Sequence, residues 1–270
     1  MAKFKIGCQT YTWEMLSDKW KGSVDDILDI ISEAGYQGVE ITNTMIGKYY
    51  DAPDKFAGTL DKRGLEFAAI GFVPLYGWTD TSHIEDEIQN AVKGVDFASH
   101  FPVCRFDLAG GSAASRENLD EKFNTMLRIY NEVAEYASKK GVPVDVHPHS
   151  HAGSIIETAE EYERLMAGIN PDLIGWCPDT GHIVRGGLDL LSALKKYQNR
   201  IKHIHLKDVD SEGKWKIMGQ GVCDFRKTLQ SLEDAGYSGW VIGEEESEEA
   251  WNDQKKSVSE NRRYLKSLGY

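Results

Sequence analysis

The chain has 270 residues, of which 41% are hydrophobic and 27% charged, with a formal net charge of −12. That composition can bury a large core, and the length suits one α/β barrel better than one sandwich or helix bundle. The acidic balance argues against a nucleic-acid groove, which needs clustered Lys and Arg, and against an anionic membrane surface.

Residues 4–9 read as a first strand, followed by a loop with Tyr11 and Trp13. Ser23 is a good N-cap for a helix whose Val24, Ile27, Leu28 and Ile31 share one face, and Gly35 closes it. Residues 38–42 form the second strand and 53–63 its helix, closed by Gly64. Residues 65–70 form the third strand. A long loop over 72–81 follows, carrying Phe72, Tyr76 and Trp78, and residues 83–100 have a helical pattern.

The fourth strand covers 103–108. The clearest helix comes next, with Leu119, Phe123, Met126, Leu127, Tyr130, Val133, Ala134 and Ala137 on one stripe and Gly141 at its end. Strands at 142–147, 173–177, 201–206 and 240–244 then alternate with helices at 158–167, 188–196, 225–235 and a last one up to Leu268. A helix–Gly–strand punctuation recurs at Gly35, Gly141 and Gly236, successive ones lying about three βα units of roughly 30 residues apart. Residues 1–270 are therefore expected to form one (β/α)₈ TIM barrel. A doubly wound open sheet is the alternative, but no GxGxxG follows the first strand.

Other features are quiet. Cys8, Cys104, Cys177 and Cys223 form no CxxC, which predicts reduced thiols rather than a zinc knuckle or a disulfide framework. The first seven residues lack an apolar leader core, and no window approaches the roughly 18 apolar residues of a membrane span. A soluble cytoplasmic protein is the expectation.

In a TIM barrel the C-terminal strand ends converge on one open face, where active sites lie. Ionisable residues gather there: Glu40 on the second strand, Arg105 and Asp107 on the fourth, and Asp145, His147 and His149 on the fifth. The sixth ends with Asp179 and His182, the seventh with His203, His205 and Lys207, and the eighth with Glu244 and Glu246. Strand side chains alternate faces, so His203, His205 and Lys207 share a side. Two imidazoles and an ammonium there need partners, because unpaired buried charge is costly. A lone strand histidine is more often a hydrogen-bonded core residue, and Glu248 and Glu249 read as a solvated loop. The joint pattern instead points to Asp179, His205 and Glu244 as ligands of one cation. Mixed imidazole and carboxylate ligation suits Mn²⁺, Co²⁺, Fe²⁺ or Zn²⁺ better than Mg²⁺ or Ca²⁺.

Four segments carry a resemblance: residues 177–182 (CPDTGH), 200–209 (RIKHIHLKDV), 218–225 (MGQGVCDF) and 236–240 (GYSGW). The chain resembles the xylose isomerase-like TIM-barrel superfamily, which contains the sugar phosphate isomerases/epimerases. His147-Pro148-His149 brings it closest in motif to the inosose dehydratase-like members. The resemblance implies a divalent metal, Mn²⁺ or Co²⁺ first, held by one residue from each of strands five to eight. By position these are His147, Asp179, His205 and Glu244. Epimerases of the superfamily have a Glu where this chain has His147, so the symmetric pair of acid/base glutamates is missing. His182 corresponds to a substrate contact, and family relatives are commonly dimers or tetramers.

Such a site polarises a sugar carbonyl and stabilises the enediolate left when an α-proton departs. The base candidates are Glu246, His149, and Lys207 if its pKa falls beside a dication. Glu40, Arg105 and Trp13 are expected to hold or cover substrate with His182, although an Arg105–Glu40 or Arg105–Asp107 ion pair is an equal reading. Tyr11, Phe72, Tyr76 and Trp78 would wall off water, or simply pack between loops. The expected activity is isomerisation or epimerisation of a small-molecule carbohydrate. The alternative is dehydration by loss of a β-leaving group, which His147 favours. A non-catalytic sugar-binding barrel and a multi-zinc endonuclease are remote alternatives. No phosphate cradle stands out, so an unphosphorylated sugar is expected.

Overall fold

Eight parallel strands form the centre of the molecule: β1 (Lys5–Gln9), β2 (Gly38–Thr42), β3 (Glu66–Phe72), β4 (Arg105–Ala109), β5 (Val144–His147), β6 (Ile174–Trp176), β7 (His203–Leu206) and β8 (Trp240–Gly243). The computed structural model describes residues 4–270; the N-terminal leader reading falls partly on residues 1–3, outside that range. The sheet runs β6-β5-β4-β3-β2-β1-β8-β7. Its two ends meet through isolated parallel bridges, Trp176 to Ile201 and Asp179 to His205. The Lys202 N–H donates to Trp176 O (3.1 Å) and the His205 N–H to Pro178 O (2.9 Å), so the ring is nearly closed. This is a TIM barrel of one domain.

Local signals place the surrounding helices. The helix Val24–Ala34 opens with a capping box between Ser23 and Asp26, and Ala159–Gly168 with one between Thr158 and Glu161. Each such cap contributes about 1 kcal/mol. Left-handed Gly35 and Gly141 end Val24–Ala34 and Leu119–Lys140, as their sequence positions predict. The apolar faces of these helices and the outward faces of the strands share one large core.

Several short elements escape the sequence pattern because they show no period, among them the helices Tyr11–Glu14 and Glu248–Asn252, where loops were expected. Thr180–Arg185 is a helix capped by Asp179, and Asp208–Val209 pairs antiparallel with Trp215–Lys216 as a small ribbon over the barrel mouth. All four cysteines are free and buried. No helix among the described residues is long and apolar enough to cross a membrane.

Candidate metal centre and active site

At the end of β5, the His147 ring lies with Nδ1 3.2 Å from the Cys177 carbonyl oxygen. A carbonyl only accepts, so Nδ1 carries the proton and Nε2 presents a lone pair inwards. Nε2 is buried without a hydrogen-bond partner, with Glu244 Oε2 3.9 Å away. After β6, Asp179 caps the helix Thr180–Arg185 through Oδ1, which accepts the His182 N–H at 2.7 Å. Its other oxygen, Oδ2, is also buried without a partner.

From β7, His205 stands between two carboxylates. Nε2 lies 2.9 Å from Glu40 Oε2 and Nδ1 lies 2.5 Å from Glu244 Oε2. The same Glu40 oxygen accepts from His203 Nε2 at 2.7 Å, so one carboxylate orients both histidines from below. Burial alone would depress the His205 imidazole, but Cys177, Glu40 and Glu244 more than reverse it and hold it well above its ordinary range. Conversely, burial would raise the Glu40 carboxyl, and the two imidazoles hold it well below the carboxylate range.

One ligand atom each from His147, Asp179, His205 and Glu244 lies within 4.8 Å of the others, and all four residues are buried. The donor set fits a divalent cation. It offers two imidazole nitrogens and two carboxylates, two of its atoms lack any other partner, and Glu40 supports a ligand histidine from behind, as metal-site histidines usually require. Burial pushes the Asp179 carboxyl up to about 7, with Lys207 opposing and Glu244 reinforcing the shift. A positive ion among these groups would remove that penalty.

Lys207 lies beside the four. Its Nζ is 3.0 Å from Glu244 Oε1 and in direct contact with Glu246 Oε1, over the Trp215 ring at 4.2 Å. Its pKa is set by burial against three neighbouring carboxylates. Burial lowers it, but Glu244, Glu246 and Asp179 raise it further, so the ammonium stays charged. Burial pushes Glu246 up to about 8 against the pull of Lys207. The His149 ring stands 4.4 Å from His147 and 4.9 Å from His182, and burial holds both His149 and His182 below the usual imidazole range. The backbone N–H of Ser150 donates to His182 Nδ1 at 2.9 Å, and His182 Nε2 lies 3.3 Å from Lys207 Nζ.

These groups open on a cavity of about 510 Å³ whose lining includes His147, His149, His182, Glu244, Glu246 and Trp215. That volume suits a monosaccharide-sized ligand.

Two expected substrate contacts lie elsewhere. Arg105 begins β4, at the far end of the barrel, and makes a part-buried ion pair with the fully buried Asp145 rather than with Glu40 or Asp107. A residue at the first position of a barrel strand cannot reach the mouth at its last. Trp13 is fully buried and packs edge-on against Trp20, outside the cavity lining. Glu40 does line the cavity, but its Oε2 is taken by the two histidines. Of the loop aromatics, Tyr11 and Phe72 line the cavity, Trp78 is buried in the core, and Tyr76 stacks on His83.

The sequence reading missed Gln9, Ser150 and Trp215. Gln9 ends β1 and lines the cavity, so the strand-end criterion that found Glu40 would also have found it. Nothing in the spacing marks Ser150 or Trp215, because the loop and ribbon that carry them have no period.

Comparison with known proteins follows the same lines. The xylose isomerase-like TIM barrel family model matches residues 28–268. The inosose dehydratase of Clostridium perfringens is 30% identical, with 97% of this chain and 96% of that protein covered. The inosose dehydratase of Lacticaseibacillus casei is 27% identical, with 89% and 88% covered. Among solved structures, the IOLI protein with a bound zinc atom is similar at a TM-score of 0.81 and 16% identity, covering 98% of this chain and 97% of that one. The 3-keto-D-glucoside 4-epimerase YcjR from E. coli is similar at 0.77 and 16%, with 98% of each chain covered. At such identities these structures establish a shared fold, and the reaction has to be argued from this chain's own residues.

Proposed function

Because the chain belongs to the xylose isomerase-like TIM-barrel family, we propose that it is a divalent-metal-dependent enzyme that removes the proton α to the carbonyl of a keto-sugar or keto-inositol. The observation that carries this reading is the pair of buried, unpartnered atoms, His147 Nε2 and Asp179 Oδ2, grouped with His205 and Glu244. A dication bound by these four residues, Mn²⁺ or Co²⁺ first and Zn²⁺ or Fe²⁺ next, supplies polarisation of the carbonyl and neutralises developing negative charge.

The protein groups handle the protons. Glu246, two residues beyond the ligand Glu244 and lining the same cavity, is the base that takes the α-proton. Lys207, in contact with Glu246, orients that carboxylate and is the acid for a departing oxygen. His182, whose Nε2 lies 3.3 Å from Lys207 Nζ, lines the cavity as a contact for the substrate. In a β-elimination the C–H electron pair becomes the new C=C bond and the β C–O bond breaks. The oxygen leaves as water after taking a proton from Lys207, and the Glu246–Lys207 contact returns the abstracted proton.

Elimination is the outcome this geometry supports best. His147 has Nδ1 tied to Cys177 and Nε2 directed at the ligand group, so the β5 ligand has no free atom to carry a proton to the opposite face. The inosose dehydratase relatives support the same reading. Isomerisation or epimerisation, the first expectation from the sequence, is the second reading. His149 favours it, since its ring lines the cavity and could reprotonate the enediolate.

The test is solvent exchange. The metal-loaded protein is incubated in D₂O with 3-keto-glucose, scyllo-inosose and ketohexoses, and followed by NMR and ultraviolet absorbance. The expected result is deuterium incorporation α to one carbonyl, lost on chelation, with enone absorbance growing in. Exchange with an epimeric or isomeric product and no enone selects the second reading. Absence of exchange with every substrate overturns both.

A further inference from the structure

One wall of the cavity is shaped by a residue that does not touch it. Val73, Pro74, Leu75 and Gly77 line the cavity in the loop after β3. Behind them lies Glu87, fully buried in the first turn of the helix Ile84–Ala98. Its carboxylate accepts three backbone N–H groups of this loop: Leu75 at 2.9 Å on Oε2, and Tyr76 at 2.6 Å and Trp78 at 3.2 Å on Oε1.

The loop needs such an anchor. Gly77 and Trp78 are consecutive left-handed residues, at φ 71° and 64°. A bulky residue there is strained and persists only where its surroundings impose it. Successive N–H groups in this kind of turn face one way and make a concavity for an anion, which Glu87 fills from within the protein. The indole of Trp78 donates to Ala109 O at 2.9 Å, and the Ser112 N–H donates to Gly77 O at 2.9 Å. A Cβ at position 77 would lie 2.3 Å from the Ser112 oxygen, so glycine is required at this crossing. The loop is thus fixed against β4 on one side and Glu87 on the other, while the Leu75 side chain projects 58% exposed at the rim.

We infer that Glu87 is a positioning residue for the substrate wall, and that Leu75, presented by that wall, contacts the apolar C–H face of the substrate ring. The second half rests on the keto-sugar reading above. A carboxylate satisfies all three N–H donors. A glutamine has one acceptor oxygen, and its amide nitrogen would meet an N–H donor.

The test pairs two variants. In Glu87→Gln, amide hydrogen exchange over residues 73–79 rises about tenfold. KM for the keto-sugar that exchanges in the wild type rises about fivefold, with kcat changed less than twofold and metal content unchanged. In Leu75→Ala, whose exposed side chain is not needed for folding, KM rises similarly and amide exchange does not change. Unaltered amide protection in a folded Glu87→Gln protein overturns the anchoring role. Faster exchange with an unchanged KM, or an unchanged KM in Leu75→Ala, overturns the substrate wall. A wild-type protein inactive on every keto-sugar would sink the functional reading, and amide exchange would still decide the role of Glu87.

Discussion

Each ionisable side chain at the mouth has its task set by which of its atoms remain free. His147 and His205 are both imidazoles on strand ends, yet a carbonyl fixes the tautomer of one and a carboxylate orients the other. Glu244 and Glu246 differ by two residues, and only Glu244 lies in the four-residue ligand group. Glu245, between them, points away and accepts from Ser247 and Asn261. Two predictions belong at this scale. Glu246→Gln, which keeps the shape but not the base, should lower the α-proton exchange rate by about 10²- to 10⁴-fold. Its metal content, read by elemental analysis, should stay at the wild-type value. His147→Ala should weaken metal binding by about 100-fold or more, as measured by competition with a chelating dye, since even outer partners of ligands are worth about 10- to 100-fold.

Among the elements, the loop after β7 shows how two sequence blocks explain each other. Asp208 ends the HIHLKD run, and its carboxylate accepts the N–H groups of Val209, Gly219, Gly221 and Cys223. A Cβ on Gly221 would lie 2.3 Å from Asp208 Oδ1, so the glycine admits the close approach. The GQG block is therefore folded around a carboxylate of this chain. It carries the ribbon that sets Trp215 over Lys207 and edge-on to His182 at 4.9 Å. Asp208→Asn should cost about 1–3 kcal/mol, because an amide turns an N–H group towards buried donors. Thermal unfolding should read the loss, and faster amide exchange over residues 217–223 should localise it.

The whole molecule carries charge through the lumen of its barrel. Asp145 is fully buried and paired with Arg105 at the end away from the mouth, while Glu40, His203 and His205 occupy the middle. A buried pair contributes little net stability, but removing one partner strands the other's charge. Arg105→Met should therefore lower unfolding free energy by about 3–5 kcal/mol in denaturant titration. The double variant Arg105→Met/Asp145→Leu should recover most of it. Metal content of folded protein should be unchanged in both, because the pair stands apart from the ligand group.

The order of elements and the strand ends that carry ligands were legible in the sequence. They depend on local periodicity, on glycine and cap residues at helix ends, and on the rule that barrel strands present their last residues to one face. His147, Asp179, His205 and Glu244 could be named together for that reason, and the structure brings them within 4.8 Å. Which end of β4 Arg105 occupies depended on strand register, where a shift of two residues moves a side chain from mouth to interior. That Trp13 is sealed in the core depended on the helix Tyr11–Glu14, which is too short to show a period. The choice of Asp145 as partner for Arg105, the Glu40 clamp on two histidines, the Ser150 contact that sets His182, and the Glu87 anchor all join residues distant in the chain. No local pattern encodes them. They arise when ring closure brings groups that cannot stay buried unpaired within hydrogen-bond distance of each other, and only the tertiary structure decides those pairings.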